Sequence, residues 1–310
     1  MCNILILVGG GIKHIKAFKE AGDKLGVNVD CVSFAKLEYT TGRDKLKVLA
    51  DGKDITDYDV VYLRLVGKRY EDAALVVHYL RQNNVRLVDR TYEMDGVIRV
   101  PLAKSLETKL LVDSGMPVPK TYFGRMGMIA EKAPELFGFP FVIKGTTGKQ
   151  GHAVWSPRNR EELDVLVNEF TPLEKSGEAR YLAQEFIKSS QRNRIFIIGE
   201  RAIAGITRPT RWRRRFIEKV DGEFPEGIKK SLDDIPKEDK EIAVGAAKAL
   251  GVEIGGADIL TDDKTGKKYV LEVNSAPRWV ALAKDTGINI EEEIIKYLIK
   301  LAKENPQPPR

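Results

Sequence analysis

Two short apolar strands, each carrying a carboxylate, constrain this chain more than any other stretch. Gly255-Gly256-Ala257-Asp258-Ile259-Leu260 and Tyr269-Val270-Leu271-Glu272-Val273-Asn274 flank Thr261–Lys267, a run of turn residues with Gly266 near its tip. This pattern predicts a β-hairpin. With the turn centred on Thr265, Asp258 and Glu272 face each other on neighbouring strands, and Glu272 and Asn274 share one face. Like charges opposite each other on a ladder repel, and an unpaired charge is costly to bury. Something positive is therefore expected between the carboxylates. Oxygen donors from Asp, Glu and Asn suit Mg²⁺, which keeps waters and nucleotide phosphates as its other ligands. An ordinary hairpin with its carboxylates in water fits the same residues, so the rest of the chain has to decide.

A length of 310 residues allows two or three domains, and 43% hydrophobic with 31% charged residues is the balance of a soluble globular protein. No apolar run approaches the about 20 residues of a membrane span, so no membrane partner is expected. Ile4–Val8 is too short for a signal-peptide core and runs straight into Gly9-Gly10-Gly11; it reads as a buried strand. Cys2 and Cys31 have no metal or redox spacing, which points to reduced packing residues in a cytoplasmic protein. The net charge of +6 is a weak overall bias.

Residues 1–95 alternate strand patterns (Ile4–Val8, Val29–Phe34, Val60–Leu65, Val85–Val88) with helical ones near Ile12–Leu25 and Glu71–Gln82. Such alternation implies a mostly parallel sheet with helices packed on it. Lys47–Ala50 and Lys53–Ile55, joined by Asp51-Gly52, predict a small inserted hairpin. The triple glycine lacks the full G-x-G-x-x-G pattern, with His14 in the third glycine's place, so it reads as a tight strand-to-helix turn. From residue 96 the pattern changes. Helices are predicted at Ala103–Ser114, ending at Gly115, from Asn159 to about Asn168, at Lys237–Leu250, and from Asn289 to about Lys303; Asn159 and Asn289 each have a Glu three residues on, as in a capping box. Strands are predicted at Lys120–Gly124, Pro140–Lys144, Tyr181–Ile187, Arg194–Ile198 and Arg201–Thr207, and the proline-rich tail 305–310 reads as disordered.

Lys144 ends an apolar strand and is followed by Gly145-Thr146-Thr147-Gly148-Lys149-Gln150-Gly151. Glycines let backbone N–H groups approach an anion, and a strand-end lysine beside them is a natural phosphate contact. This is not a P-loop. Lys104, in the first turn of its helix, and Gln184-Glu185-Phe186-Ile187, closing a strand, say little alone.

Taken in order, these elements resemble the ATP-grasp ligases, and among them the RimK-like branch of ribosomal-protein glutamate ligases and their relatives. The resemblance spans nearly the whole chain and is strongest from Lys104 to Glu292. It implies a fold that is α/β and α+β: an N-terminal Rossmann-like (pre-ATP-grasp) domain over residues 1–95, a central ATP-grasp subdomain over 96–183 and a C-terminal one over 184–304. It further implies that Lys104 and Lys144 bind ATP phosphates, that the loop with Gly148, Gln150 and Gly151 closes over them, and that Gln184, Glu185, Phe186 and Ile187 line the adenine. Asp258, Glu272 and Asn274 would hold two Mg²⁺ ions, with Mn²⁺ as the alternative. Ser275–Arg278 and Thr286–Asn289 fit the branch's C-terminal pattern. The implied reaction joins a carboxylate substrate (an amino acid or a peptide C-terminus) to an amino-acid amine through an acylphosphate, releasing ADP and phosphate. A homo-oligomer is in keeping with the family.

Arg208-Pro209-Thr210-Arg211-Trp212-Arg213-Arg214-Arg215 packs five arginines into eight positions. Arginine pairs bidentately with carboxylates and phosphates, so this run reads as a clamp for an acidic substrate. By resemblance Arg208 stabilises the acylphosphate and Trp212-Arg213 sits in the substrate site, which makes Arg208, Lys144 and Arg213 the catalytic set. Arg64, Arg194, Arg211, Arg215 and Arg278 join Trp212 and Arg213 as candidate substrate contacts. Two positions depart from the family pattern: Arg192 stands in place of an Asp two residues before an Arg, the acid expected near the ATP ribose, and Arg215 in place of Asn. These departures keep open a non-catalytic ATP-binding module. A nucleic-acid partner for the Arg208–Arg215 patch is the less favoured alternative.

Overall fold

The computed structural model describes residues 2–9, 15–41, 46–92, 104–146, 154–209, 232 and 234–304. Its first sheet is parallel, in the order β2 (Asn28–Ser33), β1 (Asn3–Val8), β6 (Val60–Arg64), β7 (Arg86–Val88), with α1 (Ile15–Lys24) and α2 (Tyr70–Gln82) as crossovers. β1 is buried on both faces, as the continuous apolar run requires: Ile4, Ile6 and Val8 enter one core and Leu5 and Leu7 another. Gly9 ends the strand where only glycine fits, since a Cβ there would lie 1.8 Å from the Leu65 carbonyl oxygen. The Gly10–His14 part of that turn lies outside the described residues. The expected inserted hairpin is a three-stranded sheet of β3 (Leu37–Thr41), β4 (Leu46–Ala50) and β5 (Lys53–Asp54). Leu37–Thr41 has too few apolar positions to advertise itself as a strand.

Helix α3 (Lys104–Asp113) ends at Gly115, whose φ of +70° makes the expected left-handed stop. An antiparallel sheet follows, in the order β10 (Val154–Trp155), β9 (Phe141–Gly145), β11 (Tyr181–Glu185), β8 (Thr121–Phe123). α4 (Met126–Phe137) and α5 (Arg160–Lys175) pack Met126, Ile129, Leu163, Leu166 and Phe170 against Phe141, Ile143 and Tyr181. Asn159 caps α5 as expected, accepting the Glu162 amide at 2.9 Å. Two expectations need correction here. α5 runs past Asn168 and through Pro172, whose missing N–H costs only one bond in an otherwise well-packed helix. α4 was not predicted, because Gly127 and Pro134 interrupt its helical pattern.

The last sheet is antiparallel, in the order β13 (Arg201–Pro209), β12 (Gln191–Ile198), β14 (Ile254–Thr261), β15 (Lys268–Asn274). α6 (Lys237–Ala249) covers one face, meeting Ile195, Ile197, Ala257 and Ile259; α3 joins this core through Leu110 and Leu111. On the other face Phe196, Ile198, Ala204 and Ile206 share a core with β1, α1, α7 (Val280–Thr286) and α8 (Ile290–Glu304). The N-terminal and C-terminal sheets are therefore joined by one apolar core. Asp89 fastens the same seam, its Oδ1 accepting the amides of Glu253 and Ile254 at 2.9 and 2.8 Å. Asn289 caps α8 through the Glu292 amide, as expected. Among the described residues no helix is long and apolar enough to cross a membrane. Cys2 and Cys31 are free and half-buried, and burial pushes their thiols up to about 11 and about 12. The 305–310 tail lies outside the described residues.

Candidate active site

Strand pairing builds the floor of the site. One row across the C-terminal sheet runs Ile206, Arg194, Asp258, Glu272, and the next runs Ala204, Phe196, Gly256, Asn274. Asp258 and Glu272 are thus directly opposite, with a bulge just beyond them. Arg192 and Arg194 lie on the face of Phe196 and Ile198, past the edge of the shared core. Asp258 is 1% exposed, and Nη1 of Arg192 and Nη1 of Arg194 stand 3.6 and 3.8 Å from its Oδ2. Across the pair, Glu272 accepts Asn274 Nδ2 at 2.9 Å on Oε1 and Lys104 Nζ at 3.5 Å on Oε2. The positive charge expected beside the two carboxylates is supplied here by arginines on Asp258 and a lysine on Glu272.

Lys104 opens α3, and Glu107 one turn later holds it at 2.9 Å through Oε2. The other oxygen of Glu107 accepts the Val273 amide at 3.1 Å, between Glu272 and Asn274. Burial works against both the Lys104 charge and the Glu272 charge, but their neighbours prevail. Glu107 and Glu272 raise the Lys104 pKa, while Lys104, Asn274, Arg194 and Lys144 take the Glu272 carboxyl below the ordinary glutamate value. Glu272 therefore stays ionised, as a metal ligand must. With Asn274 it forms an oxygen-donor pair open to solvent, and this donor set fits a hard divalent cation.

Lys144 is the penultimate residue of β9, and its Nζ donates to Gln184 Oε1 at 2.6 Å on the neighbouring strand. Burial, and then the charge of Lys104, brings its pKa down to about 8. Two lysines in each other's field are what a polyphosphate site provides before its anion arrives. Gln184 is oriented by donating to Thr121 Oγ1 at 2.9 Å. The side chain of Glu185 accepts the Lys120 amide at 2.7 Å, Ile187 is buried, and Phe186 is half-buried in the segment leading to β12. That segment is tied to the hairpin tip: Asp263 donates its amide to the Lys188 carbonyl and accepts the Ser190 amide on Oδ1.

Of the arginines, Arg194 and Arg278 line a recess of about 310 Å³, including its open mouth, walled by Phe196, Ile206, Pro277 and Leu282. Arg64 is not among the lining residues. It is 1% exposed and lies beneath Trp279, with its guanidinium carbon 3.7 Å from the ring centroid. The backbone of Arg208 pairs with Arg192. Gly148, Gln150, Gly151, Arg211, Trp212, Arg213 and Arg215 lie outside the described residues. The sequence reading overlooked Glu107 and Trp279. Glu107 was findable, since a Glu three residues after a helical Lys is within reach of it; Trp279 carries no such local signal.

Two antiparallel sheets, with Lys104 and Lys144 grouped beside the oxygen donors Glu272 and Asn274, fit an ATP-grasp ligase, an enzyme that uses ATP to join a carboxylate to an amine. The chain belongs to the RimK-like ATP-grasp family, whose model matches residues 102–298. It is similar to a probable alpha-L-glutamate ligase of Vibrio atlanticus (strain LGP32), 28% identical over 302 residues that cover 93% of this chain and 91% of that one. A protein of the same description from Legionella pneumophila (strain Corby) is 32% identical over 202 residues, 63% of this chain and 62% of that one. In fold the chain is similar to the ATP-grasp ligase PsnB complexed with a minimal precursor (TM-score 0.73, 18% identity, 97% of this chain and 100% of that one). PsnB with precursor, Mg and ADP matches with TM-score 0.72 and 17% identity, over 96% of this chain and 97% of that one. The family implies ATP and a divalent metal.

Proposed function

We propose that the chain condenses a carboxylate with an amino-acid amine through an acylphosphate, and that the carboxylate partner is acidic, such as a dicarboxylic amino acid or an acidic peptide end. The observation that carries this reading is the apposition of Lys104 and Lys144 to Glu272 and Asn274, a cationic and an anionic wall facing one space. A carboxylate oxygen attacks the γ-phosphorus as the bond to ADP breaks; the amine then attacks the acyl carbon, phosphate leaves, and the ammonium proton is lost. Such transfer is mainly positioning and charge neutralisation. Lys104 and Lys144 hold the phosphates, with the loop of Gly148, Gln150 and Gly151 over them and Gln184, Glu185, Phe186 and Ile187 beside the base. Glu272 and Asn274, with Asp258 beside them, would hold the divalent cation, Mg²⁺ or Mn²⁺, which would supply positive charge to the phosphates; two ions are the family expectation. Arg208 and Arg213 neutralise the acylphosphate. Arg194, Arg211, Trp212, Arg215 and Arg278 receive the acidic substrate, and Arg64 supports that wall from beneath Trp279. In domain terms the roles divide over 1–95, 96–183 and 184–304, with α3 bridging the last two.

The test is ADP release against a panel of the standard amino acids, alone and with acidic peptides, followed by mass analysis of the products. Release that needs both a carboxylate and an amine, and that Lys144→Ala abolishes, is the expected outcome. Turnover retained by Lys144→Ala would remove the phosphate assignment.

A further inference from the structure

We propose that Arg192 is a built-in cation at the metal end of the site, taking at Asp258 the place of a second divalent ion, so that the chain binds its nucleotide with one ion. The inference rests on the nucleotide-site reading above and concerns only how the positive charge there is divided. Three observations lead to it. Asp258 is 1% exposed, whereas the side chains of Arg192 and Arg194 that contact it are 31% and 26% exposed. Two partly exposed arginines thus contact a carboxylate that is itself buried, and an ion approaching Asp258 meets positive charge. Both arginines address the same oxygen, Oδ2, so the charge an incoming dication would seek is already neutralised, and the dication would meet like charge at short range. On the opposite strand the situation differs. The Glu272 side chain is 37% exposed, with a lysine on one oxygen and a neutral carboxamide on the other, so it remains a competent ligand for an ion shared with the phosphates.

Arg192 can also serve the nucleotide. Its Nε is buried without a hydrogen-bond partner among the described residues, so the side chain has donor capacity left after Asp258 is engaged. A phosphate of the nucleotide is an acceptor that this remaining donor capacity suits. Arg192 is thus a residue that sets the ion requirement of the site, with Arg194 as its partner on Asp258.

The test counts bound Mn²⁺ by the loss of its free electron-paramagnetic-resonance signal in the presence of saturating ADP. The wild-type chain should bind about one Mn²⁺ per chain, and Arg192→Gln, which keeps a hydrogen-bond donor on a shorter side chain but not the charge, should bind about two. Arg192→Ala serves as the second variant, with a thermal melt to confirm that each folds. Two ions on the wild type, or one ion on both folded variants, would overturn the proposal while leaving the nucleotide site intact. ADP failing to bind the wild type with or without Mn²⁺ would instead sink the nucleotide-site reading, and this proposal with it.

Discussion

At the scale of single residues the site is governed by charges that are incompletely answered until a ligand arrives, and Lys144 is the clearest case. Burial and the neighbouring Lys104 bring it down to about 8, so in the free protein it is protonated below that pH and increasingly neutral above it. A polyphosphate favours the charged form. ADP affinity should therefore be level at lower pH and fall as pH rises through 8, by at most about tenfold per unit, with proton uptake on binding in that range. Calorimetry in buffers of different ionisation enthalpy measures both quantities. Lys144→Arg, which keeps its charge, should flatten the fall; a flat wild-type profile would remove Lys144 from the phosphates. The lysine itself was legible in the sequence, because it closes an apolar strand beside a glycine-rich loop. Its depressed pKa was not, since that depends on Lys104, a residue 40 positions earlier that reaches the same space only through the packing of α3. The same limit applies to Asp258. The hairpin register could be counted from the turn, but its pairing with Arg192 and Arg194 is set by the β12–β14 ladder, which no local pattern announces.

Among the elements, β15 has a particular problem: it is the edge of its sheet, and it carries Glu272 and Asn274. An edge strand presents unpaired N–H groups, and an edge that frays would lose the placement of both side chains. α3 and the segment after it seal this edge, through the Val273 amide on Glu107 and the Val270 amide on the Pro117 carbonyl at 2.7 Å. Glu107 thereby fixes Lys104 and β15 to each other. In Glu107→Ala the Val273 amide should exchange with solvent about tenfold faster than in the wild type, while Glu107→Gln, which keeps an acceptor oxygen, should leave it protected. Amide-resolved hydrogen exchange decides, and unchanged protection in the Ala variant would show that the edge is held by its ladder alone. Elements such as α3 and β15 were readable because each has one dominant signal, a glycine stop for α3 and a turn-bounded apolar run for β15. α4 was not, because Gly127 and Pro134 sit inside it and only the central core's demand for Met126, Ile129 and Ala133 overrides their preference.

Over the whole molecule, the joint between the N-terminal and C-terminal sheets decides whether the recess bordered by Arg194 and Arg278 keeps its shape. Ile4, Ile6 and Phe18 share a core with Phe196, Ile206 and Trp279, so the recess wall is packed against residues from the first strand and helix of the chain. The polar part of the joint centres on Glu253, which takes the Arg86 guanidinium, the Arg90 amide and the Tyr297 hydroxyl, while Asp89 accepts the Glu253 and Ile254 amides. Asp89 is fully buried, and burial pushes its carboxyl well above the ordinary aspartate value despite those two amides. An acid whose pKa is raised by folding weakens the fold as it ionises: its contribution is most favourable below the ordinary value of 3.8 and declines as pH rises from there towards the raised value. Asp89→Asn keeps the acceptor oxygen and removes the titration, so the difference between wild type and variant in urea unfolding should move in the variant's favour as pH rises from about 4 to 7. Asp89→Ala leaves one buried and one part-buried amide without an acceptor and should cost about 2 kcal/mol at neutral pH. If Asp89→Ala were as stable as Asp89→Asn, the joint would be held by the apolar core alone, and the two amides would have to find water where the structure packs protein.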